Sequence, residues 1–169
     1  MAGPGKHYQD VVIRHVTKAE SARESVDIPR RAQREWNEQE VFDAVVRAFA
    51  WQGRPASCAA LRCKDGTRGP LGLLLTDPEL EAIQDPSVCV LSLEVSGELP
   101  QRLKAAVFLL ADIQVIHDGH VQAAAGKASL AALLKDMGDY AVRHGLKCDE
   151  VDDAIRDASR QLAQARRAP

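Results

Sequence analysis

The stretch "WNEQEVFDAVVRAFAWQG" carries the clearest helical pattern in the chain. Val41, Val45 and Phe49, flanked by Phe42 and Val46, recur at the spacing that lines one face of an α-helix. Asn37 is a suitable N-cap, and Glu40 stands where a capping box needs its acid. Trp36 and Val41 fit a hydrophobic staple, and Gly53 fits the left-handed position beyond the last turn. After Pro100, "QRLKAAVFLLADIQVIHD" is apolar on two faces: Leu103, Val107, Leu110 and Gln114 on one, Ala106, Leu109, Ile113 and Ile116 on the other. Such girth predicts a central, buried helix, broken at Asp118-Gly119. "SLAALLKDMGDYAVRHG" has a stripe of Leu130, Leu133, Leu134, Met137 and Ala141, closed by Gly145. "DEVDDAIRDASRQLAQARR" starts at Asp149 as N-cap and carries Val151, Ile155, Ala158, Leu162 and Ala165 on one side. Its acids come early and its arginines late, as the helix dipole favours.

Other segments read as strands. Asp65-Gly66 is a strong hairpin signal of the type I′ kind, with "AALRC" and "TRGPLGLLL" as flanking strands. Thr76 or Asp77 then caps a short helix with Pro78 at its start. "VCVLSLEV", from Val88 to Val95, alternates and is β-branched enough for a strand. "YQDVVIRHV" near the N-terminus reads the same way. The expected fold is therefore α+β and predominantly helical, with about four main helices packed around a small antiparallel sheet. Residues 1–35 are expected to be an extension, and 36–167 a single globular domain.

Composition sharpens this only a little. At 169 residues, 46% hydrophobic and 27% charged, the chain can bury a core without staples. Aromatics are 4%, so the core must be aliphatic, which favours close-packed helices. A net charge of −2 argues against both a nucleic-acid coat and a strongly acidic mimic of DNA. No apolar run is long enough to span a bilayer, and "MAGPGKHYQD" has no signal-peptide core, so a cytoplasmic location is expected. Cys58, Cys63, Cys89 and Cys148 are widely spread and are expected to be reduced structural thiols.

Candidate chemistry is sparse. Cys58 and Cys63 with His117 and His120 could make a Cys₂His₂ metal site, but the spacing is poor, and histidines at a helix end commonly answer the dipole. No nucleophile elbow appears, and "KDGTRG" matches no phosphate-binding fingerprint. No catalytic residue and no cofactor are expected, which leaves a zinc or thiol enzyme as the weakest alternative. Ala141, Gly145, Leu146 and Val151 have helix-turn-helix spacing over 141–158, the basis for a DNA-binding regulator as a second alternative. Its would-be recognition helix, however, opens with Asp149, Glu150, Asp152 and Asp153, which a phosphate lattice repels. Arg30, Arg31 and Arg34 form a small basic cluster that reads as a solvated linker.

One resemblance adds context. "QEVFDAVVRAFAWQG" followed by Arg62, Asp65, Gly66, Arg68, Gly72, Leu74, Leu75 and Asp77, then "LADIQVIHD" and "AVRHGL", resembles a group of small, largely uncharacterised proteins encoded by phages and prophages. The likeness covers about Gln39 to Leu146. Leu61, Gly69 and Leu73 stand where that group has a tyrosine and cysteines, so metal or thiol chemistry would not transfer. What the resemblance implies is a mobile-element protein acting inside a bacterial cell. The expected function is then an accessory protein that binds and inhibits a bacterial host factor, such as a defence complex, in the manner of an anti-CRISPR. Expected contact residues are Arg62, Lys64, Asp65 and Arg68 on the hairpin, pointing outward, with Asp149, Glu150, Asp152 and Asp153 at the last helix start. A homodimer through the C-terminal helices would be compatible with this.

Overall fold

The computed structural model describes residues 34–124 and 128–166. In chain order its elements are α1 (Glu38–Gln52), α2 (Pro70–Leu74), α3 (Asp77–Ala82), α4 (Val90–Ser96), a 3₁₀ turn (Gln101–Ala106), α5 (Val107–Ala123), α6 (Leu130–Arg143) and α7 (Asp149–Ala165). Helix α1 is built as its sequence predicts. The Asn37 side chain accepts the Glu40 N–H, the Glu40 carboxylate accepts the Asn37 N–H at 2.8 Å, and Gly53 ends the helix at φ 77°. Val41, Phe42, Val45, Val46 and Phe49 are all fully buried.

The expected sheet is not there. Among the described residues the strand pairing is a single antiparallel bridge, Arg62 to Arg68, so the fold is helical rather than α+β. Two apolar runs expected as strands are helices instead, and local chemistry makes them so. Pro70 at the first helical position presets φ and donates nothing to a ladder, so "PLGLL" winds into α2, all five residues buried. In "VCVLSLEV" the buried residues are Val90 and Leu93, three apart, and Gly97 supplies the left-handed cap that closes α4. The strand expected in "YQDVVIRHV" lies outside the described residues.

Helix α5 is the central helix, in contact with α1, α2, α4 and α6. It does not stop at Asp118-Gly119 but runs on to Ala123. The reason is its stripe of Leu110, Ile113, His117 and Val121, which stays in step with the core beyond the glycine. At the other end of the domain, α6 closes in a Schellman arrangement: Leu146 N–H to Ala141 C=O at 2.9 Å and Gly145 N–H to Val142 C=O at 3.3 Å, with Gly145 at φ 71°. Gly138 lets α7 approach, since a Cβ there would lie 3.2 Å from Val151. Gln39 clamps this corner to α1. Its amide accepts from Lys147 N–H at 2.8 Å and donates to Lys147 C=O at 3.2 Å.

Candidate functional site

The segment between α1 and α2 is the most elaborately built part of the chain. Its two ends are tied by one side chain: Gln52 accepts the Arg68 N–H at 2.8 Å and donates to the Arg68 C=O at 3.2 Å. Ser57 N–H donates to Thr67 Oγ1 at 3.0 Å, and Cys63 N–H to Thr67 C=O at 2.8 Å. Cys58 and Cys63 are joined by a disulfide, with Cα atoms 5.9 Å apart. The expectation of reduced thiols is overturned for this pair. The fold-back at the turn brings the two sulfurs into bonding range, which spacing alone did not reveal. Cys89 and Cys148 are free.

The turn itself differs in register from the type I′ expectation. Gly66 N–H donates to Cys63 C=O at 3.0 Å, so Lys64 and Asp65 are the central residues, and Gly66 follows at φ 83°. This is a three-residue loop between the paired Cys63 and Thr67, in which glycine takes the left-handed position. Asp65 is consumed locally: it accepts from Thr67 N–H at 3.0 Å and Thr67 Oγ1 at 2.7 Å, and pairs with Arg54 at 3.2 Å. The Thr67 hydrogen bonds hold its carboxyl below the usual carboxylate range.

Arg68 does not point outward. It is 4% exposed, paired with Asp77, and its guanidinium donates to Leu75 C=O at 3.4 Å. A buried cation is costly unless fully partnered, and here it staples the hairpin to the start of α3. Arg62 and Lys64 are exposed as expected and make no ion pair within the described residues.

The acidic start of α7 divides in the same way. Glu150 pairs with Arg47 of α1 across the helix interface, so it is a structural residue. Asp43 lies in the same cluster. Burial pushes its carboxyl up, against the pull of Gln39 and Arg47. Asp149, Asp152 and Asp153 are exposed, and Asp153 pairs with Arg156 within the helix. A role for α7 in a DNA groove runs against these carboxylates. Of the basic cluster, Arg34 pairs with Glu40 at 2.5 Å, while Arg30 and Arg31 lie outside the described residues.

The weak metal candidates do not converge. Cys58 and Cys63 bind each other, His120 faces Asp136 at 2.7 Å, and among the described residues no cluster of three or more His, Cys, Asp or Glu could hold an ion. His117 is not at a helix end but fully buried in mid-helix, stacked on Phe49 at 5.6 Å. Its Nε2 accepts the Ala56 N–H at 3.2 Å, so Nδ1 carries the proton and donates to Asp118 at 2.9 Å. Nε2 holds the segment leading into the disulfide loop to α5, and Nδ1 is spent on Asp118 of the same helix. The sequence carried a signal for this role, since His117 continues the buried stripe of α5.

A second surface feature lies between α5 and α6. A groove of about 500 Å³ is lined by Val115, Ile116, Gly119 and Ala123, with His120, Asp136, Asp139 and Arg143 at its rim. Phe108 and Val115, on the outward face of α5, are 73% and 72% exposed. No helix among the described residues is long and apolar enough to cross a membrane. Compared with known proteins, the chain matches no family model, no curated protein and no solved structure.

Proposed function

We propose that this chain is a binding protein that docks an acidic surface of another protein through its disulfide-tied hairpin. The observation that supports this best is the contrast among its cations. Arg47, Arg54, Arg68 and Arg102 are held in ion pairs within the fold, whereas Arg62 and Lys64 stand exposed on a hairpin fixed by side-chain hydrogen bonds that do not depend on the disulfide. A tip held rigid in advance loses little entropy on binding, so exposed charge there counts for more than on a mobile loop. In the context that the phage resemblance implies, the partner is a bacterial host protein, bound and blocked in the manner of an anti-CRISPR. No reaction is needed for such a role, and the buried His117 and the paired cysteines are accounted for by structure.

The test is a comparative affinity purification from bacterial lysate, read by mass spectrometry, with the wild type and an Arg62→Glu/Lys64→Glu variant. The expected result is a specific protein captured by the wild type, lost with the variant and released by moderate salt. A variant that keeps its helical circular dichroism and captures the same proteins as the wild type would sink the reading.

A further inference from the structure

The geometry points to a second surface, separate from the hairpin: the α5–α6 groove is where a second copy of this chain docks, in an antiparallel two-fold dimer. Helix α5 carries both halves of a knob-and-hole pair on its outward side. Phe108 is the knob, large and mostly exposed. Gly119 is the hole, with nothing within 4 Å of where its Cβ would be, in a groove floored by Val115 and Ala123. The two positions are roughly 16 Å apart along the helix at 1.5 Å per residue. A two-fold axis crossing α5 midway between them seats each Phe108 in the other copy's groove at once, which is the condition for a closed, isologous interface.

The charges obey the same axis. Tyr140 donates to Asp112 at 2.8 Å, and His120 meets Asp136 at 2.7 Å, so α6 runs antiparallel to α5 along the groove. Arg143 therefore lies toward the Phe108 end and Asp136 toward the Gly119 end. Arg143 is exposed and has no ion-pair partner within the described residues. The axis midway between Arg143 and Asp136 crosses at the level of Asp112 and Tyr140, which is also the midpoint of Phe108 and Gly119. One operation thus brings the unpaired guanidinium of each copy to the carboxylate of the other, and it sets Asp112 and Asp139 beside their own images, carboxylates already held within each copy by Tyr140 at 2.8 Å and Lys135 at 3.0 Å. An unrelated partner has no reason to match both spacings. A second copy matches them because the same residues set both.

Sedimentation of the full chain across roughly 1–100 µM, the range in which micromolar association is read, tests this directly. The wild type is expected to dimerise. Phe108→Glu and Gly119→Arg each change a position that the monomer does not pack, so melting temperatures should not fall while dimerisation weakens by at least about thirtyfold, the threshold of an interface hot spot. Arg143→Glu should weaken it as well, and Asp136→Arg in the same chain should restore it, because the swap rebuilds the pair across the axis. A wild type that stays monomeric throughout overturns the proposal, as does a dimer indifferent to Phe108→Glu and Gly119→Arg. Loss of a captured host protein by Phe108→Glu in a monomeric wild type would assign the groove to that protein and also overturn it. Arg62→Glu/Lys64→Glu should leave sedimentation unchanged, so failure of the dimer and failure of the hairpin reading are told apart.

Discussion

Arg102 grips Glu79 with both arms of its guanidinium, Nη1 to Oε1 at 2.6 Å and Nη2 to Oε2 at 2.7 Å, and the same Nη2 donates to Leu74 C=O at 2.9 Å. The pair ties the 3₁₀ turn before α5 to α3 and to the end of α2. Glu79 also completes the capping box of α3, accepting the Thr76 N–H at 2.8 Å. Burial pushes its carboxyl up, but the Arg102 and Thr76 hydrogen bonds outweigh this and hold it below the usual carboxylate range. A carboxyl depressed by folding stabilises above its ordinary value, and that contribution is lost as pH falls through the depressed one. Glu79→Gln should therefore cost about 1–2 kcal/mol at neutral pH, an ion pair partly open to water being discounted from the fully buried case. Urea titrations of both proteins should show that gap closing as acid is added. A gap that widens toward low pH would contradict the assignment.

Gly72 and Gly66 should respond to alanine for different reasons and by different amounts. At Gly72 a Cβ would lie 1.8 Å from the Leu61 carbonyl oxygen, with no flexible side chain to yield, because α2 rests directly on the backbone of the hairpin. Gly72→Ala should cost about 3 kcal/mol or more, as overpacking against a fixed backbone does. At Gly66 there is open space but φ is +83°, so Gly66→Ala should cost only about 1–2 kcal/mol. Denaturation midpoints in one urea series rank the two, and equal costs would mean that α2 can slide off Leu61.

Long helices with caps were legible in the sequence, and short apolar runs were not. Asn37 with Glu40, Thr76 with Glu79, and Gly145 each act where their residue type predicts, because capping is local chemistry. "TRGPLGLLL" and "VCVLSLEV" failed because they are too short for period to separate strand from buried helix. Pro70 at the start of one and Gly97 at the end of the other decide them. At the candidate site the exposure of Arg62 and Lys64 was readable from the turn, whereas the burial of Arg68 depended on Asp77 and Leu75, brought close only by the tertiary fold. The disulfide is of the same kind. Nothing in the spacing of Cys58 and Cys63 says which way the chain folds back. The groove was invisible because it belongs to two helices whose relative course is fixed by Tyr140 with Asp112 and His120 with Asp136.

The disulfide closes a short loop, with a sequence separation of 5 between Cys58 and Cys63. The loop-entropy relation gives about 2 kcal/mol for a ring of that size. Hydrogen bonds from Gln52, Ser57 and the Ala56 N–H to His117 hold the same segment independently, so opening the bond should loosen the hairpin without unfolding the helices. A dithiol reductant, or the Cys58→Ser/Cys63→Ser variant, should lower the melting temperature with little change in helical circular dichroism. In a reducing compartment these hydrogen bonds, rather than the disulfide, would hold the loop in shape. Coincident melting curves with and without reductant would show that the bond adds no stability.

Tyr140 joins α6 to α5 through its hydroxyl, which donates to Asp112 at 2.8 Å, while its ring stacks on His144 at 4.0 Å. Burial raises the phenol well above its ordinary value, and the neighbouring Asp112 carboxylate adds to the shift by opposing a second negative charge. The folded state thus holds the proton more tightly than the unfolded chain. The stability this provides is complete below about pH 10, the ordinary tyrosine value, and drains away as pH rises above it. Ultraviolet titration should show a phenol that resists ionisation until the protein unfolds, and Tyr140→Phe should remove that late component. At neutral pH the same variant loses one hydrogen bond and leaves Asp112 to water, for a cost of about 1 kcal/mol. A late component that survives Tyr140→Phe would mean that Asp112 does not face this ring, and the antiparallel course of α5 and α6 would lose one of the two contacts that fix it.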